Sequence, residues 1–431
     1  MLSMKNFLIA LLFLAGCMPS GRVLVTSPDR GDIGMYGNKF IWTGNGQAFV
    51  PNLVMMDMLT RNIRPAESAG FKELDFPFRT GNYTDLRFVT KENLKAFMQE
   101  YFVGHGFNGI HVPVYGQWFH IGDNVVTKND SVPDPRTFEK LAMIIQTVYE
   151  AGGATYIWVW GDHQRRWTAE STQGGTMGAQ EKLVMDWIAE KLGPLKGWFI
   201  GYGFDLWEWA DADELEQWHT YMWARPGWNK LMGARGPRSG PGNYPQIYEG
   251  LDFSSYEHHK PWHNELVEMI NARPDKPSLS GDRYRIRRHP PSQWPEKDYN
   301  EEETRRGLWH HTMAGGVGAI WGNMDSTGVY RNKEELKCFS VFWNDKNRFR
   351  KNMVVDSGLS DGFCLRDSDT HYVFYKENCG EITFRFSGKA KKVVAVDTRK
   401  PYQEMTLGKM KSGNHVFTAP YVSDWALAVE Q

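Results

Sequence analysis

The feature that most constrains this chain is an alternation of strand-like and helix-like segments that repeats about eight times between residues 38 and 325. "FNGIHVPVYG" (107–116) is an apolar run of strand length. "PRTFEKLAMIIQTVYEAGG" (135–153) follows with helically spaced apolar residues and a Gly-Gly stop. The unit recurs, with strands expected at 154–163, 197–205, 229–236, 246–257, 276–284 and 317–325. Helices are expected at 91–103, 179–193, 212–223, 263–274 and 300–315. "NKFIWTGNGQAFVPNLVMMD" (38–57) opens the series as a hairpin with a Gly-Asn-Gly turn, then a buried strand. Strands joined through helices run parallel, and eight such units close on themselves. The expected fold is α/β, a (β/α)8 TIM barrel. An open doubly wound sheet is the alternative, but no GxGxxG follows the first strand, which argues against its nucleotide-binding form.

From about Asp356 the rhythm changes. "HYVFYKE", "EITFRFSG", "KKVVAVDT", "NHVFTAP" and "DWALAVE" are short strands with turns between them and no helical run. A barrel over 35–350 and a small antiparallel β-sandwich over 351–431 are expected. The 431 residues are too many for one average domain and suffice for both.

The N-terminus has a basic start, Met1 to Lys5, and an apolar core, "FLIALLFLAG" (7–16), too short to span a bilayer. "LAGC" (14–17) places small residues directly before Cys17 and resembles a bacterial lipobox. Residues 1–17 are expected to be a lipoprotein signal peptide, Cys17 the lipidated residue, and 18–34 a tether. Met18, where the inner-membrane retention signal would have Asp, points to the outer membrane or cell surface of a bacterium. Membrane attachment is expected through the lipid alone. An ordinary signal peptide that happens to carry a cysteine is the competing reading.

Composition excludes little. Lys+Arg number 50 against 51 Asp+Glu, so charge gives no support for nucleic acid, and no nucleic-acid partner is expected. Aromatic residues make up 14% with 18 Trp, which suits a large core or a surface that stacks sugar rings. Cys338, Cys364 and Cys379 remain after Cys17; a bridge between Cys364 and Cys379 is one pairing open to them. No CxxC or CxxH spacing occurs, and neither metal nor cofactor is expected.

Barrel enzymes place reacting groups at the C-terminal ends of their strands. Read that way, the second strand contributes His111 and Gln117, and the third Asp162 and His163. The fourth contributes Asp205 and Glu208, the fifth Arg235, and the sixth Tyr256, His258 and His259. The seventh contributes Asp282 and Arg283, and the eighth Trp321, Asn323 and Asp325. There is no HExxH, GxSxG or P-loop.

"GYGFDLWEW" (201–209) sets Asp205 and Glu208 among large aromatics. An acid after strand four and another after strand seven form the two-carboxylate layout of glycoside hydrolysis. Asp205 is the candidate general acid, with Phe204 and Trp207 excluding water and raising its pKa. Glu208 is the second choice of acid. Asp282 is the candidate second carboxylate, and Tyr256 would donate a hydrogen bond to it. Each has a structural rival. Asp205 would equally cap the next helix, Glu208 serve as a first-turn helix acid, and Asp282 pair with Arg283 or Arg285. Tyr256 would equally be core. His111 and His163 suit substrate contact or a structural role equally, and Trp321 suits a sugar platform or the core.

Three segments, "GYGFDLWEW", "KPSLSGDRY" and "RRGLWHHTMAGGVGAIWGN", together resemble the apiosidase-like glycoside hydrolases, clan-A (β/α)8 barrels. "DGFCLRDSDTHYVFYKENCG" and "APYVSDWALAVE" are similar to the β domain that follows the barrel in those proteins. That domain is often labelled collagen-binding, a label that carries no implication of collagen. The resemblance spans most of residues 38–431 as pattern and order. It implies that Asp205 is the acid/base and that the nucleophile position is Asp282, where the family has Glu. The shorter side chain widens the gap between carboxyls. Retention needs them about 5–5.5 Å apart and inversion roughly 6.5–9.5 Å. Retention is the reading taken; inversion, or a nucleophile other than Asp282, are the alternatives.

Arg283, Arg285, Arg287 and Arg288, with Arg165, Arg166 and Arg235, suggest an acidic or sulfated polysaccharide fragment, since guanidinium forks suit sulfate and carboxylate. The rival pairs them with the acids of "EKDYNEEE". The sequence therefore points to a glycosidase acting on an oligo- or polysaccharide. The alternative from another class is a noncatalytic glycan-binding surface lipoprotein with a degenerate barrel.

Overall fold

The computed structural model describes residues 29–56, 85–123, 125–161, 163, 166–203, 206–235, 250–256, 260, 262–281, 299–321, 332–389 and 391–430. It opens with a three-stranded antiparallel sheet, β1 (Ile33–Tyr36), β2 (Lys39–Trp42) and β3 (Ala48–Phe49). Gly46, at φ +67°, supplies the left-handed residue of the turn before β3. The sheet closes the N-terminal end of the barrel. Phe40 is buried, with ring centroids 5.5 Å from Phe199 and 5.3 Å from Phe253, each at the start of a barrel strand. Packing starts earlier than the expected boundary at 35. Arg30 donates to Tyr149 O at 3.0 Å and lies 4.0 Å over the Trp42 ring, while Asp32 pairs with Lys230 at 2.6 Å.

Eight parallel strands close the barrel: β4 (Asn52–Met55), β5 (Gly109–Pro113), β6 (Ala154–Trp158), β7 (Trp198–Gly201), β8 (Met232–Arg235), β9 (Phe253–Tyr256), β10 (Ser278–Ser280) and β11 (Ala319–Trp321). The helices outside them are α1 (Lys91–Met98), α2 (Pro135–Glu150), α3 (Ala179–Trp187), α4 (Ala212–Trp223), α5 (His263–Asn271) and α6 (Glu301–Met313). Their starts follow local chemistry. Thr90, Asp211 and Asn300 form capping boxes, and Asp134 caps α2 with Pro135 at its first position. The β8–β9 connection, 236–249, lies outside the described residues. The helix that follows the eighth strand, α7 (Lys333–Ser340), lies outside the helical segments expected from the sequence and buries Leu336, Cys338 and Phe339.

The pairing register sorts inward from outward side chains, because the period along a strand is two. Tyr156, Phe199 and Phe253 meet in the barrel interior, with Tyr156 stacked on Phe199 at 4.5 Å. Ser255 pairs with Leu279 and Ile320 with Leu53 on the same inward face. Tyr256 and Trp321, one residue on, therefore face the helices.

The C-terminal domain is one six-stranded antiparallel sheet, in the order β12-β13-β14-β17-β15-β16. Its strands are β12 (Val354–Val355), β13 (Phe363–Asp367), β14 (His371–Phe386), β15 (Lys391–Asp397), β16 (Met405–Met410) and β17 (Gly413–Glu430). The segments read separately as "HYVFYKE" and "EITFRFSG" are both β14, and "NHVFTAP" and "DWALAVE" are both β17. Register shifts between Lys376 and Glu381 bend the pair. Phe374 and Phe384 lie on the same strand yet their centroids are 5.1 Å apart, where a straight strand would separate them by about 33 Å. The sheet thus folds back on itself and supplies both layers of the sandwich. Between the layers lie Phe374, Phe384, Phe417 and Trp425. Cys338, Cys364 and Cys379 are buried and free, so Cys364 and Cys379 form no bridge.

Candidate active site

Closure of a parallel barrel brings the C-terminal ends of all eight strands to one mouth. Just below it, His111 of β5 packs edge-on against Trp158 of β6, ring centroids 4.1 Å apart. The Arg235 guanidinium of β8 lies 5.7 Å from the same indole. His111, Tyr156 and Arg235 are fully buried, so the floor of the mouth is polar. Burial pushes the Tyr156 phenol pKa up.

Glycine makes this crossing possible. A Cβ on Gly201 would meet the Tyr156 hydroxyl and would lie 2.7 Å from Trp158 Cδ1. A Cβ on Gly281 would lie 2.8 Å from Ser255 Oγ and 3.3 Å from Arg235 Cδ.

The structure places the sequence candidates in different surroundings. His111 and Arg235 come together on Trp158. Glu208 ends a short 3-10 turn, Leu206–Glu208, in the connection that follows β7 and is exposed. Gln117 is buried, and its Oε1 accepts from the amides of Leu86 (3.0 Å) and Gly122 (3.1 Å), joining two loops. His163 is half exposed and pairs locally with Glu170 at 2.6 Å. Tyr256 faces outward, its hydroxyl bonded to His311 Nδ1 on α6, so it is not aimed at a mouth carboxylate. Trp321 also faces outward, edge-on to Phe107 at 5.7 Å, and offers no platform to a sugar. Asp205, Asp282, His258, Arg283 and Asn323 lie outside the described residues, as does Cys17. Among the described residues no cluster of His, Cys, Asp or Glu could hold a metal ion.

One group escaped the sequence reading. Glu181, in the first turn of α3, is fully buried. Its Oε1 accepts from Trp160 Nε1 and from the Tyr202 hydroxyl, both at 2.7 Å, and its Oε2 from the Met177 amide at 2.5 Å. Burial pushes its pKa up to about 7, although all three hydrogen bonds oppose the rise. A glutamate at the third position of a helix reads as an ordinary first-turn acid, and nothing in the sequence marks it as buried.

No protein-family model matches the chain, and no curated protein sequence matches it. Solved structures do. A protein titled glycoside hydrolase superposes with a TM-score of 0.64 at 14% identity, covering 93% of this chain and 97% of its own. A glycoside hydrolase family 5 protein from Bacteroides vulgatus gives 0.64 at 13% identity, covering 94% and 95%. The chain shares their fold across nearly the whole length of both.

Proposed function

We propose that this protein is a glycoside hydrolase in which Asp205 is the general acid/base and Asp282 the second carboxylate. The observation that carries the assignment is topological. β7 and β10, the strands that precede these two aspartates, stand three places apart around a closed barrel of eight. The two strands end on different sides of the mouth, with the polar floor of His111 and Arg235 beneath. The likeness in fold to proteins titled glycoside hydrolase supports the same reading. So does the narrower resemblance to the apiosidase-like family.

In the retaining course, Asp205 gives its proton to the glycosidic oxygen as that bond breaks. The Asp282 carboxylate attacks the anomeric carbon and forms a glycosyl ester. Asp205, now a base, takes a proton from water, whose oxygen displaces Asp282. If the carboxyls stand farther apart, Asp282 instead activates water in a single inverting step. Arg235 in the floor and the arginines after β10 favour an acidic or sulfated polysaccharide. The lipobox-like "LAGC" supports an exported lipoprotein held at the outer membrane or cell surface through Cys17.

The test is digestion of xylan, polygalacturonate and carrageenan by the chain from Pro19 onward, with reducing-sugar readout, beside Asp205→Ala and Asp282→Ala. Wild-type products that vanish in both variants are expected, and NMR of the fresh product then gives retention or inversion. Binding without products, unchanged by both substitutions, would replace the hydrolase by a glycan-binding barrel. Turnover of xylan alone would remove the acidic-substrate element.

A further inference from the structure

We propose that Glu181 is a positioning residue for the acid that follows β7: it ties the ends of β6 and β7 together behind the mouth. This rests on the assignment of Asp205 as the general acid. Trp160 is two residues past the end of β6, and Tyr202 is the first residue past β7. Glu181 reaches both from α3 with a single carboxylate oxygen and fixes the preceding loop through the Met177 amide. The backbones add to the clamp. Trp160 N donates to Tyr202 O at 2.9 Å, and a Cβ on Gly203 would stand 2.6 Å from Trp160 O. Asp205 comes two residues after Gly203, a length of chain that spans at most about 7 Å. A displacement of Tyr202 has little slack in which to be absorbed before the acid.

The chemistry calls for a carboxylate. The indole N–H and the Met177 amide N–H only donate, and the Tyr202 hydroxyl donates as well, so three donors need three acceptor sites. An amide in place of the acid turns one acceptor into a donor and opposes one partner. Among the described residues, the titratable groups acting on it are Tyr202, just past β7, which lowers its pKa through the hydrogen bond, and Glu214 from α4, which raises it. A buried carboxylate held only by donors costs stability relative to an apolar filling, which suits a group retained for geometry. Loss of the charge on acidification through about pH 7 would release one donor.

The experiment compares wild type with Glu181→Gln in the chain from Pro19, carboxyl-labelled with 13C at aspartate, the Asp205 signal being assigned by Asp205→Asn. We expect Glu181→Gln to move the Asp205 titration midpoint by about 0.5 pH unit or more. On a polysaccharide that the wild type cleaves, kcat should fall about tenfold or more with KM nearly constant, because misplacement of an acid costs turnover rather than binding. Asp424→Ala, at the junction of the two domains, lowers stability without changing kcat and separates positioning from general loosening. Should Glu181→Gln fail to fold, Tyr202→Phe removes one tie, keeps the carboxylate and is read in the same way. An unmoved Asp205 midpoint together with wild-type kcat overturns the proposal. If the wild type cleaves none of the three polysaccharides, the hydrolase assignment fails, and the Asp205 midpoint alone still decides whether Glu181 positions that side chain.

Discussion

Lys39 shows at the scale of one residue what burial does to a charge. Its ammonium donates to Asn38 Oδ1 at 2.7 Å and to Gly315 O at 3.0 Å, beyond the end of α6, yet burial pulls its pKa down to about 7. The folded value lies below the unfolded one, about 10.5. Between these two pH values the unfolded chain holds a proton that the folded chain lacks, so the contribution to stability grows from pH 7 upward and is flat below it. Lys39→Met should therefore flatten the rise in unfolding free energy between pH 7 and 9, by about 1 kcal/mol or more, measured by urea titration at each pH. An unchanged slope would mean that Lys39 stays charged. Residue identity was legible in the sequence at this scale, but facing was not. The strands of a parallel barrel are buried on both sides, so "GIHVP" and "ATYIW" show no alternation of polarity. Strand ends alone therefore assigned Tyr256 and Trp321 to the mouth, where the register turns both toward the helices.

Elements were easier to read, because a 3.6-residue period over two or more turns is a strong signal and helix starts carry their caps. All eight barrel strands fall inside the expected segments. The misses have physical causes. α7 follows the eighth strand, where the repeat calls for a helix, but its eight residues hold barely two turns, a short run in which to read a period. β14 and β17 looked like four strands because their bulges interrupt the alternating pattern. At the mouth the elements meet through glycine. At Gly203 the neighbour is the Trp160 carbonyl, part of a strand end already bonded on both sides, rather than a side chain that could swing away. Gly203→Ala should force β6 and β7 apart, at a cost of about 1–3 kcal/mol by thermal unfolding. Its kcat should fall as for Glu181→Gln. Retention of wild-type stability would show that the two strand ends separate freely.

For the whole molecule, the decisive contacts are those that fix the β domain to the barrel and those that fix where the chain enters it. Asp424 of β17 is buried and accepts from Arg305 (2.6 Å) and Arg306 (2.9 Å) of α6 and from the Asn378 amide (2.8 Å), while Trp309 of α6 stacks on Tyr375 at 4.9 Å. Burial alone would raise the Asp424 pKa, but Arg306, the Asn378 amide and Arg305 together hold it below the usual carboxylate range. Its contribution is therefore present above the unfolded pKa and lost as pH falls through the folded one. Asp424→Ala leaves two arginines without their shared acid and should cost about 3–5 kcal/mol, seen as a lower urea midpoint. A midpoint equal to wild type would mean that the domains stay docked by packing alone.

The entry point has a different consequence. Asp29, Arg30 and Asp32 bind Lys196, the end of α2 and Lys230, all at the barrel end opposite the mouth. Residues 18–28 can reach at most about 40 Å from a lipidated Cys17. The anchor proposed above would then hold the closed end toward the bilayer and leave the mouth facing outward. Protein anchored in outer-membrane vesicles and a soluble Cys17→Ser form should therefore cleave a long polysaccharide with equal kcat/KM. A deficit confined to the anchored form, on long chains but not on short oligosaccharides, would place the mouth against the membrane instead.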